Sequence, residues 1–267
     1  MAIADYASYV TKVSAPYQRI QDTKINLATS SGRLSSFWLT APLGGSAPTT
    51  AAVPTSATTG AMGQVDSSGV QRIAQVAASV GNWGYLMIVD RLSHQGGLSG
   101  IVTTEQTTNL PTAALTRYAS GAGVFAGIEI YAQLGTTATT FTASYTNQGG
   151  SGGQTSLAAV IGGTAFREAG RVLILPLQDG DTGVQSVESV TVLATTGTAG
   201  NFGVTLFKPL LVMPLPSVGS QQLVCDSIQT MCGNMPEIVN GACLQYMIVG
   251  GTTGSGILVN AVRIIEE

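Results

Sequence analysis

Charge is what this sequence has least of. Asp, Glu, Lys and Arg together make up 9% of its 267 residues, against roughly a quarter in an ordinary soluble domain. No charged side chain lies between Arg33 and Asp66, between Glu129 and Arg167, or between Glu237 and Arg263. Chains with so little repulsion between copies suit an obligate assembly better than a free monomer. With a net charge of −3 and no basic stripe, nothing in the composition neutralises a phosphate backbone, which excludes nucleic acid as an expected partner.

Long apolar runs are missing as well. The greasiest stretch, LLVMPLP at 210–216, is interrupted by Pro214 and Pro216, well short of the roughly 20 residues of a spanning helix. Aromatics at 6% are too few for the girdles of a membrane barrel. The opening MAIADYASYVTK carries Asp5 and no apolar leader segment, so the expectation is no membrane, and use inside a cell or in a particle assembled there.

Paired cysteines and histidine clusters are also lacking. Cys225, Cys232 and Cys243 are separated by six and ten residues, which matches neither a zinc pair nor an even disulfide framework; buried free thiols are expected. His94 is the sole histidine, in VDRLSHQGGLSG. An Asp90–His94 pair activating Ser93 or Ser99 would need neighbours four apart, a helical spacing, in a segment that reads as strand and loop. Asp179 and Asp181 in LQDGDTGV lack the further oxygen ligands of a calcium loop, and GTAGNFG lies between β runs with no helix to follow. No catalytic residue, metal or cofactor is therefore expected, and a chain of this size needs none to fold.

What is present is alternation. In GTTATTFTASYTNQGGSGG (135–153), Phe141, Ala143 and Tyr145 fall on one side of a strand and Thr140, Thr142, Ser144 and Thr146 on the other. YLMIVDRL reads as a strand buried on both faces. GIEIYAQL sets Ile128, Ile130, Ala132 and Leu134 against Glu129, Tyr131 and Gln133, and RVLILPLQDGDTGV as a buried strand before an Asp/Gly turn. The turns in GTTAT, ATTGTAGNF and GGTTGSG suggest three hairpins. Short strands with regular turn signals predict a mainly antiparallel β-sandwich, jelly-roll-like.

Two helices are expected beside it. Ile3, Tyr6, Val10 and Val13 recur at helical spacing before Pro16, and Val70, Ile73, Ala77 and Val80 do so before Gly81; TSLAAVIGG could add a turn. The organisation expected is an N-terminal arm with a short amphipathic helix at 1–40, an extended low-charge linker or surface-crossing loop at 41–65, and a helix plus β-sandwich at 66–267. Tyr6, Tyr9, Tyr17, Phe37 and Trp38 concentrate aromatic area on that arm, where they would anchor a partner. Asp90, Arg91 and His94 are rare polar handles for fixing a contact's register.

Several strings resemble structural proteins of tailed-bacteriophage virions: WGYLMIVDRLSHQGGLSG, NLPTAALTRY, IEIYAQLGTTATTFTASYTNQ and ILPLQDGDTGVQSVESVTVLATTGTAGNFGVTLFKPL, across about 83–212. The resemblance implies a particle component assembled in a bacterial cytoplasm. A capsid decoration or cement protein fits it best, a homo-oligomer such as a trimer bound to the major capsid protein. A neck, tail or minor shell component is the alternative within that class, and a glycan-binding adhesin module the alternative outside it.

Overall fold

A computed structural model describes residues 5–81, 83–164, 166–215, 223–226 and 235–267. One helix, α1 (Tyr6–Ser14), precedes β1 (Gln18–Thr29), β2 (Leu34–Ser36), β3 (Gln71–Val80), β4 (Gly84–Leu98), β5 (Gln106–Thr107), β6 (Phe125–Ala132), β7 (Thr139–Asn147) and β8 (Gln154–Thr155). Then come β9 (Ala159–Ile161), β10 (Val172–Ile174), β11 (Val184–Val192), β12 (Asn201–Leu215), β13 (Leu223–Asp226), β14 (Glu237–Ile238), β15 (Leu244–Gly250) and β16 (Gly254–Glu266). The protein is mainly antiparallel β with sandwich packing and a helix at its N-terminal end, as the alternation predicts.

The strands form three sheets. The central one runs β10-β6-β12-β4-β15-β2 and curls until its edge strands meet: Ser35 bridges Arg171, and the Ser36 N–H donates to the Gly170 carbonyl at 2.8 Å. Its long strands β4 and β12, 15 residues each, reach about 50 Å at the usual rise, enough to serve two cores. At one end Leu86, Ile88, Leu211 and Met213 pack on Ile73, Val76, Leu258 and Val262 of the sheet β1-β16-β3-β13. At the other, Ile128, Phe202, Val204 and Leu206 pack on Phe141, Tyr145, Val187 and Val190 of the sheet β5-β11-β7-β8. The β4–β12 ladder shifts register between Leu206 and Phe207 and again between Pro209 and Leu211, where the strands pass from one core to the other. Bulges bend a strand and re-aim its side chains.

Four expectations are corrected. The helix expected after Asp66 is strand β3, which pairs with β16 from Gln71 to Val80. Its ladder shifts between Arg263 and Ile264, leaving Ala74 as an extra residue, so Ile73 and Val76 both face the core three positions apart. A bulge thus imitated a helical period. TSLAAVIGG holds β8 and β9 rather than a helical turn. The three expected hairpins are arches between sheets: β6, β12 and β15 lie in the central sheet, while the strands joined to them, β7, β11 and β16, lie in the outer two. Finally, segment 1–40 is not an arm, because β1 pairs with β16 and Phe37 and Trp38 are buried.

Helix α1 itself is closed by a capping box. The Ser8 N–H donates to Asp5 Oδ1 at 2.7 Å and the Asp5 N–H to Ser8 Oγ at 3.2 Å, satisfying two otherwise orphaned donors. It buries Tyr9 and Val13 against Ala74 and Ile265, on the outer side of the β1-β16-β3-β13 sheet. Residues 41–65 cross the body as a loop: Ala52 exchanges backbone hydrogen bonds with His94, Gly96 N–H reaches Pro48 O, and Met62 N–H reaches Leu244 O. Ile3, Pro216 and Cys232 lie outside the described residues, as does the side chain of Cys225.

Candidate functional site

The concentration of polar chemistry in this chain is enclosed by the central sheet. Arg91 on β4 would ordinarily alternate away from His94, but the ladder skips Leu92, and both side chains reach the same side. Arg91 Nε donates to His94 Nδ1 at 2.7 Å, Nη1 to Gln245 Oε1 at 3.1 Å, and Nη2 to Tyr131 Oη at 2.8 Å and Thr205 Oγ1 at 2.9 Å. Glu129 Oε2 closes the ion pair with Arg91 at 2.7 Å, both side chains at 0% exposure, and accepts from the Thr205 and Tyr131 hydroxyls at 2.6 and 3.1 Å. Trp38 lies under the guanidinium, 4.2 Å from ring centroid to Cζ, and meets His94 edge-on.

A second pair lies beside it on the other side of β4. Asp90 takes two hydrogen bonds from Arg117, at 2.8 and 3.0 Å, and one from the Cys243 N–H at 2.9 Å. Arg117 also donates to the carbonyls of Pro54 and Arg91, tying the 41–65 loop to β4. Asp90 therefore holds Arg117 and does not orient His94, and Ser93 donates to the Ala113 carbonyl instead.

Electrostatics follow from enclosure. Burial alone would raise the Glu129 carboxyl, but the Arg91 charge and its hydrogen bonds overcome that and hold it below the usual carboxylate range. Arg91 is correspondingly held above its ordinary value, Glu129 outweighing the burial penalty. Asp90 goes the other way: burial outweighs Arg117 and lifts it. Burial and the neighbouring Arg91 charge push His94 down to about 2, so it stays a neutral imidazole whose Nδ1 serves as an acceptor. Burial pushes the Cys243 thiol up to about 12. These groups lock strands together.

Of the residues singled out in the sequence, Tyr9, Phe37, Trp38, Asp90, Arg91 and His94 are buried within the chain. They cannot anchor a partner in this conformation, because their surfaces are already covered by its own strands. Tyr6 and Tyr17 remain exposed. The network's other members, Arg117, Glu129, Tyr131, Thr205 and Gln245, come from separate segments; the signal available was charge inside an otherwise apolar strand, the adjacent Asp90 and Arg91 in YLMIVDRL and Glu129 in GIEIYA. Among the described residues no group of three or more His, Cys, Asp or Glu side chains is placed to hold a metal ion, and no helix is long and apolar enough to cross a membrane. No family model, curated protein or solved structure matches the chain.

Proposed function

We propose that this chain is a structural protein of a phage-like particle, attached to the shell built by a major capsid protein and holding neighbouring subunits together by contact. The observation that carries this reading is where the charge goes. Seven of the 25 charged side chains (Lys24, Asp90, Arg91, Arg117, Glu129, Arg171 and Asp226) are buried. That leaves eighteen for the exterior of a 267-residue protein. Such an exterior, neutral and hydroxyl-rich with scattered apolar side chains, associates with other neutral surfaces at little desolvation cost. Each Å² of apolar surface covered contributes about 25 cal/mol, so many modest contacts repeated over a shell add to a strong hold without any single strong bond.

The resemblance of residues 83–212 to tailed-phage structural proteins supports the same reading. The test is the location and copy number of the chain in purified particles, by quantitative mass spectrometry and immunolabelling. Copies in proportion to shell subunits and on the outside are expected. A few copies confined to one vertex would make it a neck or tail part, and its absence from particles would overturn the proposal.

A further inference from the structure

An asparagine followed by glycine has its side-chain amide open to attack by the next backbone nitrogen, since no Cβ hinders the approach. The pair occurs once in this sequence, at Asn240–Gly241. The fold requires glycine there: the Ala242 N–H donates to the Val239 carbonyl at 3.0 Å to close a turn, and Gly241 sits at φ 77°, where a side chain would be strained. The turn leads from β14 to β15, with Asn240 exposed. What meets it is the chain just past the 41–65 loop. Asn240 Nδ2 donates to the Ser67 carbonyl at 2.6 Å, the Ser67 N–H donates back to Asn240 Oδ1 at 3.3 Å, and the Gly241 N–H donates to Asp66 Oδ1 at 2.7 Å. The amide and its nucleophile are both held by two adjacent residues from a distant part of the sequence.

We infer that Asn240 is a self-modification site kept closed by Asp66 and Ser67. The reaction needs only water. The Gly241 nitrogen gives its proton to solvent hydroxide and attacks Asn240 Cγ; a C–N bond forms, the Cγ–Nδ2 bond breaks, and ammonia leaves with a proton taken from water, closing a succinimide ring. Water then adds to one of the two ring carbonyls and that carbonyl's C–N bond breaks, leaving aspartate or isoaspartate, with no atom oxidised or reduced. Ring closure requires the side chain to swing off Ser67 and the Gly241 N–H to leave Asp66. Three hydrogen bonds must therefore break first, one of them to a charged acceptor and so stronger than the others. The product cannot close the clasp again, because a carboxylate at 240 has no proton for the Ser67 carbonyl and repels Asp66 beside it. Conversion is one-way and loosens Asp66 and Ser67, leaving ties such as that from Tyr17 Oη to the Asp66 carbonyl at 3.0 Å.

The experiment follows Asn240 by peptide mass spectrometry while the full chain is incubated at neutral pH, reading the mass gain of amide-to-acid conversion and the aspartate and isoaspartate products. Wild type is compared folded and unfolded in urea, beside folded Asp66→Ala and, as a control in another turn, folded Asp179→Ala. Circular dichroism confirms the fold of each. In urea Asn240 should convert at least about tenfold faster than in the folded wild type, the weight of the hydrogen bonds that hold it. Asp66→Ala should fall between the two, and the control should match the wild type. Equal rates in folded and unfolded wild type, or no conversion in either, would overturn the inference. So would Asp66→Ala at the wild-type rate, or an equal rise in Asp179→Ala. Limited proteolysis of Asn240→Asp tests the consequence: an aspartate-directed protease should cut next to Asp66 faster than in the wild type, and an unchanged rate would overturn the loosening.

Discussion

The inside of the central sheet and the outside of the β5-β11-β7-β8 sheet are built from opposite materials. Inside, Arg91, Glu129, His94, Tyr131, Thr205 and Gln245 form one hydrogen-bonded network with Trp38 beneath it. Along the outer sheet, the cross-strand row Thr107, Ser189, Ser144 and Thr155 runs from edge to edge without a charge, Ser189 itself being covered at 5% exposure, flanked by the Thr142–Thr191 pair. Globular proteins ordinarily keep ions outside and neutral groups inside. Here the ions fix how two cores are joined, and in the function proposed above the neutral surface is what makes contact.

The interior should respond most strongly to damage. Glu129→Gln leaves the Arg91 charge enclosed without a counter-ion, a loss worth about 3 to 5 kcal/mol for a buried pair. Chemical denaturation read by tryptophan fluorescence measures it, Trp38 being in contact with the guanidinium. The double variant Arg91→Met with Glu129→Leu removes both charges and should recover a large part of that loss, because an apolar pair of similar volume has no desolvation penalty. If Glu129→Gln costs less than about 1 kcal/mol, the range of a surface ion pair, the pair is not enclosed as described and the contrast with the outer sheet fails.

A smaller effect is expected with acid. His94 titrates near 6.5 when unfolded and is held down to about 2 in the fold. The unfolded chain therefore binds a proton that the folded one refuses, and stability falls as pH drops below 6.5, by about 1.4 kcal/mol per unit for one proton. Glu129, lowered in the fold, adds a loss of the same sign once the pH falls below its unfolded value. Asp90, raised in the fold, opposes both, since its folded form takes up a proton first. Denaturation midpoints between pH 7 and 5 should slope downward in the wild type and flatten in His94→Gln, which carries no titrating ring. An equal slope in both would place the acid response elsewhere.

How much of this was legible in the sequence divides along the same line. The outer sheet was readable because one face of β7 is buried and the other is not: Phe141, Ala143 and Tyr145 are at 2% exposure or less, as alternation predicted. The central sheet was readable in YLMIVDRL, most of which is covered on both faces, and misleading in β6. In β6, Ile128 and Ile130 face one core while Glu129 and Tyr131 face the enclosed network, so the side that looked polar and outward was also inside. The Gly/Thr turns were visible as turns, but local pattern does not say whether the next strand pairs alongside or crosses to the facing sheet. At Ala74 one extra residue shifted the phase of β3 and made a strand look helical. The Arg91 network lay beyond reach because its members meet only through pairings between distant strands.

The smallest expected effect is on the neutral surface, and it tests whether that surface is structural at all. Thr142 and Ser144 point away from the core and sit opposite Thr191 and Ser189. Replacing both by alanine should change unfolding free energy by no more than about 0.5 kcal/mol, the usual range for surface sites free of special contacts. Thr146 differs, because its hydroxyl donates to Glu188 at 2.7 Å. Thr146→Ala should therefore cost more than the other two, toward the roughly 1.5 kcal/mol or more of a hydrogen bond to a charged group. Near-neutral stability in Thr142→Ala/Ser144→Ala, together with weakened attachment to particles, would show the hydroxyl row to be a contact surface. A stability loss above about 2 kcal/mol would instead make the row part of what holds the outer sheet together, and the division between a charged interior that builds the fold and a neutral exterior that serves contact would no longer hold.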